Sequence, residues 1–191
     1  MISINVMGCF AAIKYCGKRV SLGVYPSARK AHEVIFGRRG WFTENTRRRT
    51  NMVWENDGKL DADAAQVGCY GLAIAHFDPT ITDDQFDLAW DMAKVRGFLD
   101  SSDTLVNPQG FVNILGYALT FRDGHFPADT PLDPAKMHII GKWVSGDKTH
   151  FVVHANGGTS KEDVTYDPIE GGSLTVKEGT FDSFRIFDKV Y

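Results

Sequence analysis

The chain has 191 residues, of which 43% are hydrophobic and 24% are charged, and these values are typical of a globular protein. No apolar run approaches the roughly 18 residues that a membrane-spanning helix needs, and the N-terminus lacks the basic start of a secretory signal. We therefore expect a cytoplasmic protein with no membrane partner. Three cysteines, an odd number, favour a reducing compartment over a disulfide framework.

Positive charge is concentrated in the N-terminal quarter of the chain. Residues 1–50 contain ten lysines and arginines but only two acids, so this segment carries a net charge of +8. The whole chain carries −3, which leaves −11 for residues 51–191. This asymmetry predicts two domains, 1–50 and 51–191, with different partners. A basic face exposed to solvent is the alternative explanation of the N-terminal charge.

The first domain begins with strand-like segments. Residues 2–6 and 10–15 alternate or cluster apolar side chains, and residues 16–19 have the composition of a hairpin turn. Residues 20–25 form a third strand-like run. Ser27 is a suitable N-cap for a helix that follows. The predicted order of elements is therefore three strands and then one helix.

Four short segments of this domain match a known pattern. They are Ala12-Ile13-Lys14, Gly17-Lys18, Leu22-Gly23-Val24-Tyr25-Pro26-Ser27-Ala28 and Gly40-Trp41-Phe42-Thr43-Glu44-Asn45. With the order of elements, they make residues 8–46 resemble the apetala-type DNA-binding domain, whose three-stranded sheet lies in the major groove. The resemblance implies DNA as a partner of residues 1–50, contacted by Lys14, Lys18, Arg19 and Tyr25. The run Arg47-Arg48-Arg49 either follows the phosphate backbone or is an exposed linker.

The second domain opens with helical patterns and ends with strand-like ones. We predict three helices, one that starts at Cys69, one over residues 83–95 and one over residues 108–119. Thr82 and Gln85 form a capping box at the start of the second helix. Five short β-type runs follow, at residues 137–144, 151–155, 164–166, 173–176 and 184–187. Helices followed by antiparallel strands predict the α+β class.

Cys69 has the sequence setting of a reactive thiol. It follows the flexible Gly68 and begins a helix, where the partial positive charge of the helix end and unpaired amides favour the thiolate. The same amides can stabilise an oxyanion beside the sulfur. The alternative for any cysteine before an apolar run is a small buried residue, and we assign that role to Cys9 and Cys16.

A base and an orienting acid follow Cys69 in the order that a cysteine hydrolase needs. His150 begins a strand-like run and has polar neighbours, so we expect one side of its ring to be exposed, as a proton carrier requires. Asp167 ends the next strand-like run. A hairpin between the two runs would return Asp167 beside His150, where it can accept the imidazole N–H. His154, four positions after His150, is the competing base.

Several segments of the second domain match a second known pattern. They are Trp54-Glu55-Asn56, Gly68-Cys69-Tyr70-Gly71-Leu72-Ala73, Ile139-Ile140-Gly141-Lys142, His150-Phe151-Val152-Val153, Tyr166-Asp167-Pro168, Gly171-Gly172-Ser173 and Phe184-Arg185-Ile186-Phe187. They make residues 50–191 resemble papain-like cysteine peptidases of the bacteriocin-processing (double-glycine leader) type and their phage and bacterial relatives. The resemblance implies a papain-like fold, a protein or peptide substrate, and a bacterial host if the protein is phage-encoded. It also implies Cys69 as nucleophile, His150 as base and Asp167 as the orienting residue.

That family normally has a glutamine upstream of the cysteine, which donates a hydrogen bond to the oxyanion. Two residues are candidates for this role here. Gln66 lies three positions before Cys69, and Asn51 lies nearer the usual distance but has a shorter side chain. Loss of such a donor typically costs about 10²–10³ in rate. Without the donor, the domain would be a slow hydrolase or would serve binding only.

Three functions are open on these grounds. The first is a cysteine hydrolase that cleaves a peptide or isopeptide bond and is directed by the basic domain. The second is a nucleic-acid-binding protein whose second domain is a weak or inactive scaffold, and the third is a peptidoglycan amidase with the same triad. We predict no cofactor. We also predict no metal, because His150, His154 and Cys69 do not form a compact ligand motif.

Overall fold

The N-terminal unit contains a hairpin of two antiparallel strands, β1 (Cys9–Tyr15) and β2 (Lys18–Tyr25). Contacts between residues divide the chain into this unit, Met1–Arg49, and a second unit, Thr50–Tyr191. The computed structural model describes residues 9–15, 18–25, 53–56 and 58–191.

The hairpin agrees with the strands predicted at residues 10–15 and 20–25. Its register pairs Tyr15 with Lys18, so the connection between the strands consists of two residues. A bulge shifts the register between Ala11 and Ala12. The predicted strand at residues 2–6 and the predicted helix after Ser27 lie outside the described residues.

The second unit is a mixed α+β structure, as the sequence predicts. Its helices are α1 (Ala62–Val67), α2 (Cys69–Ala75), α3 (Asp83–Val95), α4 (Pro108–Leu115) and α5 (Leu174–Glu178), with a short 3₁₀ helix at Lys161–Asp163. Its strands are β3 (Leu119–Phe126), β4 (Met137–Ser145), β5 (Lys148–Val153) and β6 (Thr180–Lys189). They form an antiparallel sheet in the order β3-β6-β4-β5. Within the described ranges, every helix is too short or too polar to cross a bilayer.

Strand β6 lies in the interior of the sheet and pairs with both β3 and β4. Its residues 183–187 are buried without interruption. Neighbouring residues of a strand point to opposite faces, so a continuous buried run means that both faces of the sheet are covered. On one face, Phe187 packs with the helices in the main core, and on the other face Phe184 and Ile186 pack with Ile139.

Helix α2 is buried along its whole length after Cys69. Gly71 permits close packing against α3, because a Cβ atom at this position would lie 2.5 Å from the Trp90 ring. Helix α2 also contacts β5, which carries His150. The fold therefore holds the residue that starts α2 against the strand that carries the candidate base.

Two of the predicted helices can be compared with α3 and α4. The range predicted for α3 is confirmed, and so is its capping box, in which Thr82 Oγ1 accepts from the Gln85 amide and Gln85 Oε1 accepts from the Thr82 amide. The prediction for α4 was too long at its C-terminal end. Gly116 adopts a left-handed conformation, with φ of 75°, and stops the helix. Leu119, which was predicted to be helical, begins β3, a strand that the prediction missed.

The strand predictions located β4, β5 and β6, although β6 is longer at both ends than the predicted residues 184–187, and they were wrong elsewhere. Residues 173–176 form the start of α5, because Ser173 caps the helix by accepting a hydrogen bond from the Val176 amide at 3.1 Å. Residues 164–166 form one isolated bridge, between Val153 and Tyr166. The predicted strand at residues 151–155 starts three residues earlier and ends at Val153.

Candidate active site

Cys69 lies where α1 passes into α2. Gly68 joins the two helices: its amide bonds Ala64 O at 2.9 Å, and its carbonyl accepts from the Leu72 amide at 2.8 Å. A Cβ atom at Gly68 would lie 2.2 Å from Ala64 O, so only glycine allows this connection. Cys69 is a free, partly buried cysteine at the first position of α2, as predicted.

The backbone amide of Cys69 is not free, in contrast to what we expected for a helix start. The Glu55 carboxyl accepts a hydrogen bond from it. One amide that a helix start normally leaves unpaired is therefore already bound to an acidic side chain.

His150 lies inside β5, opposite Trp143 of β4, rather than at the start of the strand. Its exposed fraction is 5%, so the expectation of a ring exposed on one side was wrong. The reason is that β5 begins at Lys148, which moves His150 into the paired part of the sheet. The ring is thus shielded from solvent, and its charge depends on its neighbours.

Asp167 lies beside His150, because the chain returns next to β5 as expected. The amide of Val153 donates to Tyr166 O, and the amide of Thr165 donates to Val153 O, both at 2.8 Å. The Asp167 carboxylate accepts from His150 Nε2 at 2.7 Å.

Backbone amides also bind the Asp167 carboxylate and fix its orientation. Asp167 Oδ1 accepts from the Ile169 amide at 2.9 Å, and Oδ2 accepts from the Ser173 amide at 2.8 Å. Burial alone would raise the pKa of Asp167, but the hydrogen bonds from His150, Ser173 and Ile169 lower it below its usual value. Asp167 is therefore an anion that is held in place beside the imidazole.

Cys69, His150 and Asp167 form one hydrogen-bonded chain. His150 bonds Asp167 through Nε2, which leaves Nδ1 available to the Cys69 side chain, the second partner that raises the pKa of His150. Burial by itself lowers the pKa of His150, but the hydrogen bonds to Asp167 and Cys69 outweigh burial and raise this pKa to about 10. The arrangement therefore favours an imidazolium that is paired with the Asp167 carboxylate and lies beside the Cys69 side chain.

Glu55 is a fourth ionisable residue at this centre, and sequence analysis did not select it. Its exposed fraction is 8%, and its Oε1 atom is buried without a hydrogen-bond partner among the described residues. Burial raises the pKa of Glu55 to about 7, with Asp167 adding to the increase and His150 opposing it. The segment Trp54-Glu55-Asn56 matched the family pattern, but nothing in it indicated a buried carboxyl.

The segment that carries Glu55 is tied to the loop that carries Asp167. The Glu55 amide donates to Pro168 O at 2.7 Å. Asn56 Oδ1 accepts from the Glu170 amide at 2.8 Å, and the Tyr166 hydroxyl donates to Val53 O. These contacts hold the Glu55 carboxyl close to the Cys69–His150–Asp167 chain.

The two predicted oxyanion donors have different outcomes. Gln66 is exposed on α1 and lines the same cleft as Cys69. Asn51 lies outside the described residues. Among the described residues, it is the Glu55 carboxyl that binds the Cys69 amide.

His154, the competing base, is fully buried in an aromatic cluster. Its Nε2 accepts from Trp143 Nε1 at 3.1 Å, and its ring contacts Phe181 and Phe184. Gly141 makes room for this ring, since a Cβ atom at Gly141 would lie 2.4 Å from it. Burial lowers the pKa of His154, so the neutral form is favoured in a structural role. Among the described residues, no three His, Cys, Asp or Glu side chains lie together as a metal site would require.

A cleft of about 400 Å³ opens beside Cys69. The residues that line it come from the α1–α2 junction, from the segment before α4, and from β3, β5 and β6. Tyr70, Phe151 and Arg185 line this cleft together with Cys69. A substrate bound in this cleft would have direct access to the thiol.

In the N-terminal hairpin, the register pairs two of the predicted nucleic-acid-binding residues, Lys14 and Arg19, with each other across the two strands. Tyr15 pairs with Lys18, and Cys9 pairs with Tyr25. Arg47, Arg48 and Arg49 lie outside the described residues.

No family model matches this chain, and no curated protein or solved structure matches it either.

Proposed function

We propose that the second unit is a papain-like cysteine hydrolase that cleaves a peptide or isopeptide bond. The observation that carries the proposal is the hydrogen-bonded chain from Cys69 through His150 to Asp167. A nucleophile, a base and an orienting carboxylate in this order are the set that thiol hydrolysis requires. The cleft beside Cys69 supports the proposal because it gives a substrate access to the sulfur.

The reaction would proceed in two acyl-transfer steps. The Cys69 thiolate attacks the scissile carbonyl carbon, and the C–N bond breaks as His150 gives its Nδ1 proton to the leaving amine. Neutral His150 then takes a proton from water, whose oxygen attacks the thioester. The C–S bond breaks, and the acid product leaves with Cys69 restored as the thiolate and His150 as the imidazolium. Asp167 holds the ring throughout and stabilises its charge.

Glu55 would support the oxyanion of each tetrahedral intermediate in its protonated form. Its carboxyl lies at the Cys69 amide, and a neutral carboxylic acid there can donate a hydrogen bond to an oxyanion on the attacked carbon. The ionised form would repel the same oxyanion. A Glu55 pKa of about 7 makes the neutral form available near neutral pH.

Alkylation of the thiols tests the nucleophile without a known substrate. Iodoacetamide should label Cys69 faster than Cys9 and Cys16 when the products are followed by peptide mass spectrometry. His150→Ala should remove most of this preference, whereas His154→Ala should leave it unchanged in the folded fraction. Equal and slow labelling of all three cysteines in the native protein would contradict the proposal.

Hydrolysis assays then identify the bond that is cleaved. A library of internally quenched peptides and purified peptidoglycan are compared as substrates, with Cys69→Ser as the inactive control. Cleavage of peptides supports a peptidase, whereas release of peptides from peptidoglycan alone supports the amidase alternative. Turnover that Cys69→Ser retains would rule out Cys69 as the nucleophile.

A second function, binding of nucleic acid by the N-terminal unit, is supported by its charge and by its register. Residues 1–50 carry +8, and the hairpin pairs the cations Lys14 and Arg19 across adjacent strands. Two like charges at paired positions destabilise a hairpin unless an anion lies nearby. Binding of duplex DNA by the full chain, lost on deletion of residues 1–50, tests this function, and absence of binding at low salt would exclude it.

A further inference from the structure

Arg185 is a buried cation in the wall of the cleft beside Cys69. Its exposed fraction is 6%, and it extends from β6, whose residues on both sides belong to the core. Its Nη1 atom donates to Ser183 Oγ at 2.8 Å and to Phe184 O at 3.0 Å. Both acceptors are neutral oxygens, so neither of them neutralises the guanidinium charge.

No carboxylate forms an ion pair with Arg185 among the described residues. Asp182, an acidic neighbour on the same strand, accepts instead from Ser183 Oγ at 2.6 Å and pairs with Lys142 at 3.5 Å. The Nε and Nη2 groups of Arg185 have no acceptor in the described part of the chain. Asp182 attracts the guanidinium only at longer range, so the cost of burying this charge is offset in part and not by a direct ion pair. Burial accordingly lowers the pKa of Arg185.

Tyr70 adds a second unsatisfied donor to the same wall. Its ring stacks on Phe151 with centroids 4.4 Å apart, and the Arg185 guanidinium lies 5.8 Å from the centroid of that Phe151 ring. The Tyr70 hydroxyl is buried and has no hydrogen-bond partner among the described residues. Buried donors normally have an acceptor. We therefore expect the Arg185 guanidinium and the Tyr70 hydroxyl to bind an anionic or carbonyl acceptor that enters from the cleft.

We propose that Arg185 and Tyr70 form a subsite that binds a carboxylate of the substrate next to the scissile bond. The proposal rests on the proposed hydrolase function and specifies its substrate class: a peptide that carries either an acidic side chain or a free C-terminal carboxylate at the residue beside the cleaved bond. A guanidinium with free Nε and Nη2 donors is suited to bind both oxygens of a carboxylate. The Phe151 ring packs against both Arg185 and Tyr70.

Charged and neutral alkylating agents of the same shape test the subsite. N-chloroacetylglycine carries a terminal carboxylate, and N-chloroacetylglycinamide is its neutral match. N-chloroacetyl-aspartic acid α-amide presents a carboxylate on a side chain, and N-chloroacetyl-asparagine amide is its neutral match. The rate of Cys69 alkylation by the preferred acid, divided by the rate with the neutral amide, should exceed one. This ratio should fall about tenfold or more in Arg185→Met, because a charge-assisted hydrogen bond contributes about 1.5–3 kcal/mol.

Two variants serve as controls for the alkylation experiment. Arg122→Met removes an arginine from the neighbouring strand, where Arg122 pairs with Asp188 at 2.6 Å and does not line the cleft, so the ratio should stay at the wild-type value. Arg185→Lys keeps the charge without the planar fork and should give an intermediate ratio. If Arg185→Met does not fold, Arg185→Lys decides the outcome. A wild-type ratio of one, or a ratio that no Arg185 variant changes, would overturn the proposal.

A binding measurement separates failure of the subsite from failure of the proposed function. N-acetylglycine cannot react, and at ten times its dissociation constant it should raise the unfolding midpoint by about 3–6 °C. The shift should appear in the wild type and in Cys69→Ser but not in Arg185→Met. A shift without any selective Cys69 alkylation would support the subsite and contradict the hydrolase, whereas selective alkylation without any shift would contradict the subsite.

Discussion

Glu55 accepts a hydrogen bond from the backbone amide of Cys69, and its buried carboxyl lies within electrostatic range of both His150 and Asp167. The centre therefore contains four ionisable groups rather than three. Protonation of Glu55 removes a negative charge close to Cys69, His150 and Asp167.

Glu55→Gln should change how stability depends on pH. The pKa of Glu55 is about 7 in the folded protein against an ordinary value of 4.5, so folded molecules hold the proton more tightly than unfolded ones. The stability that this proton provides is present below pH 4.5 and is lost as the pH rises towards 7. The loss amounts to roughly 3 kcal/mol.

Urea unfolding between pH 4.5 and 8.5 measures this effect. Glutamine resembles the protonated acid and does not titrate, so Glu55→Gln should be more stable than the wild type above pH 7 and close to it at pH 4.5. Glu162→Gln, which removes an exposed carboxyl, should follow the wild-type curve. A Glu55→Gln curve parallel to that of the wild type would show that Glu55 has the same pKa in the folded and unfolded states.

Glu55 variants should also separate support of the oxyanion from reactivity of the thiol. N-acetylglycinal forms a hemithioacetal with an active cysteine and develops an oxyanion, whereas alkylation by iodoacetamide forms no oxyanion. At pH 6, where wild-type Glu55 is mostly protonated, Glu55→Ala should weaken binding of the aldehyde by about 10²–10³, and Glu55→Gln should retain most of it. Alkylation rates should change much less. Equal losses in both reactions would show that Glu55 acts on the thiol itself.

Local sequence signals account for the parts of this structure that could be predicted. The capping box of Thr82 and Gln85 lies within four residues, and the return of Asp167 beside His150 needs only a hairpin. Glu55 could not be predicted in the same way, since its position depends on a hydrogen bond to Pro168, which is distant in sequence. Helix α5 was missed because the β-type composition of residues 174–176 was overridden by the Ser173 cap.

Asp167→Asn should lower the reactivity of Cys69 and remove part of the stability near pH 6. The pKa of His150 is raised from 6.5 to about 10, so the stability that the imidazolium provides is complete below pH 6.5 and is lost as the pH rises towards 10. Without the charge of Asp167, this pKa should fall, and NMR titration of the His150 ring measures the change directly.

The reactivity of Asp167→Asn is measured as the rate of alkylation by iodoacetamide at pH 6. We expect a decrease of at least about tenfold, because the loss of even one pKa unit at His150 changes the free energy of the ion pair by about 1.4 kcal/mol. Asp163→Asn is the matched control, since its carboxylate binds Ser160 and Asn156 in a surface loop. An unchanged rate in Asp167→Asn would show that His150 does not depend on Asp167 for its charge.

Lys14→Gln combined with Arg19→Gln should weaken binding of duplex DNA and reduce its dependence on salt. Each phosphate contact contributes about 0.9 to the slope of log K against log salt, so loss of two contacts should reduce the slope by up to about 1.8. Fluorescence anisotropy of a labelled duplex measures this slope. Lys136→Gln with Lys148→Gln removes the same charge from the second unit. An equal decrease in that control would assign the effect to net charge rather than to the hairpin.

Gly68→Ala should disturb the position of Cys69 more than it disturbs the fold. The added Cβ atom would lie 2.2 Å from Ala64 O, and backbone atoms of α1 cannot move aside as a flexible side chain can. We expect a loss of about 1–3 kcal/mol in stability and a decrease in alkylation rate in the fraction that remains folded.

Gly116→Ala is the control: its φ is 75°, and no atom lies within 4 Å of the added Cβ. Backbone strain alone should cost it about 1–2 kcal/mol and leave Cys69 fully reactive. If both variants react with iodoacetamide at the wild-type rate, the glycine at the α1–α2 junction serves stability and does not position the thiol.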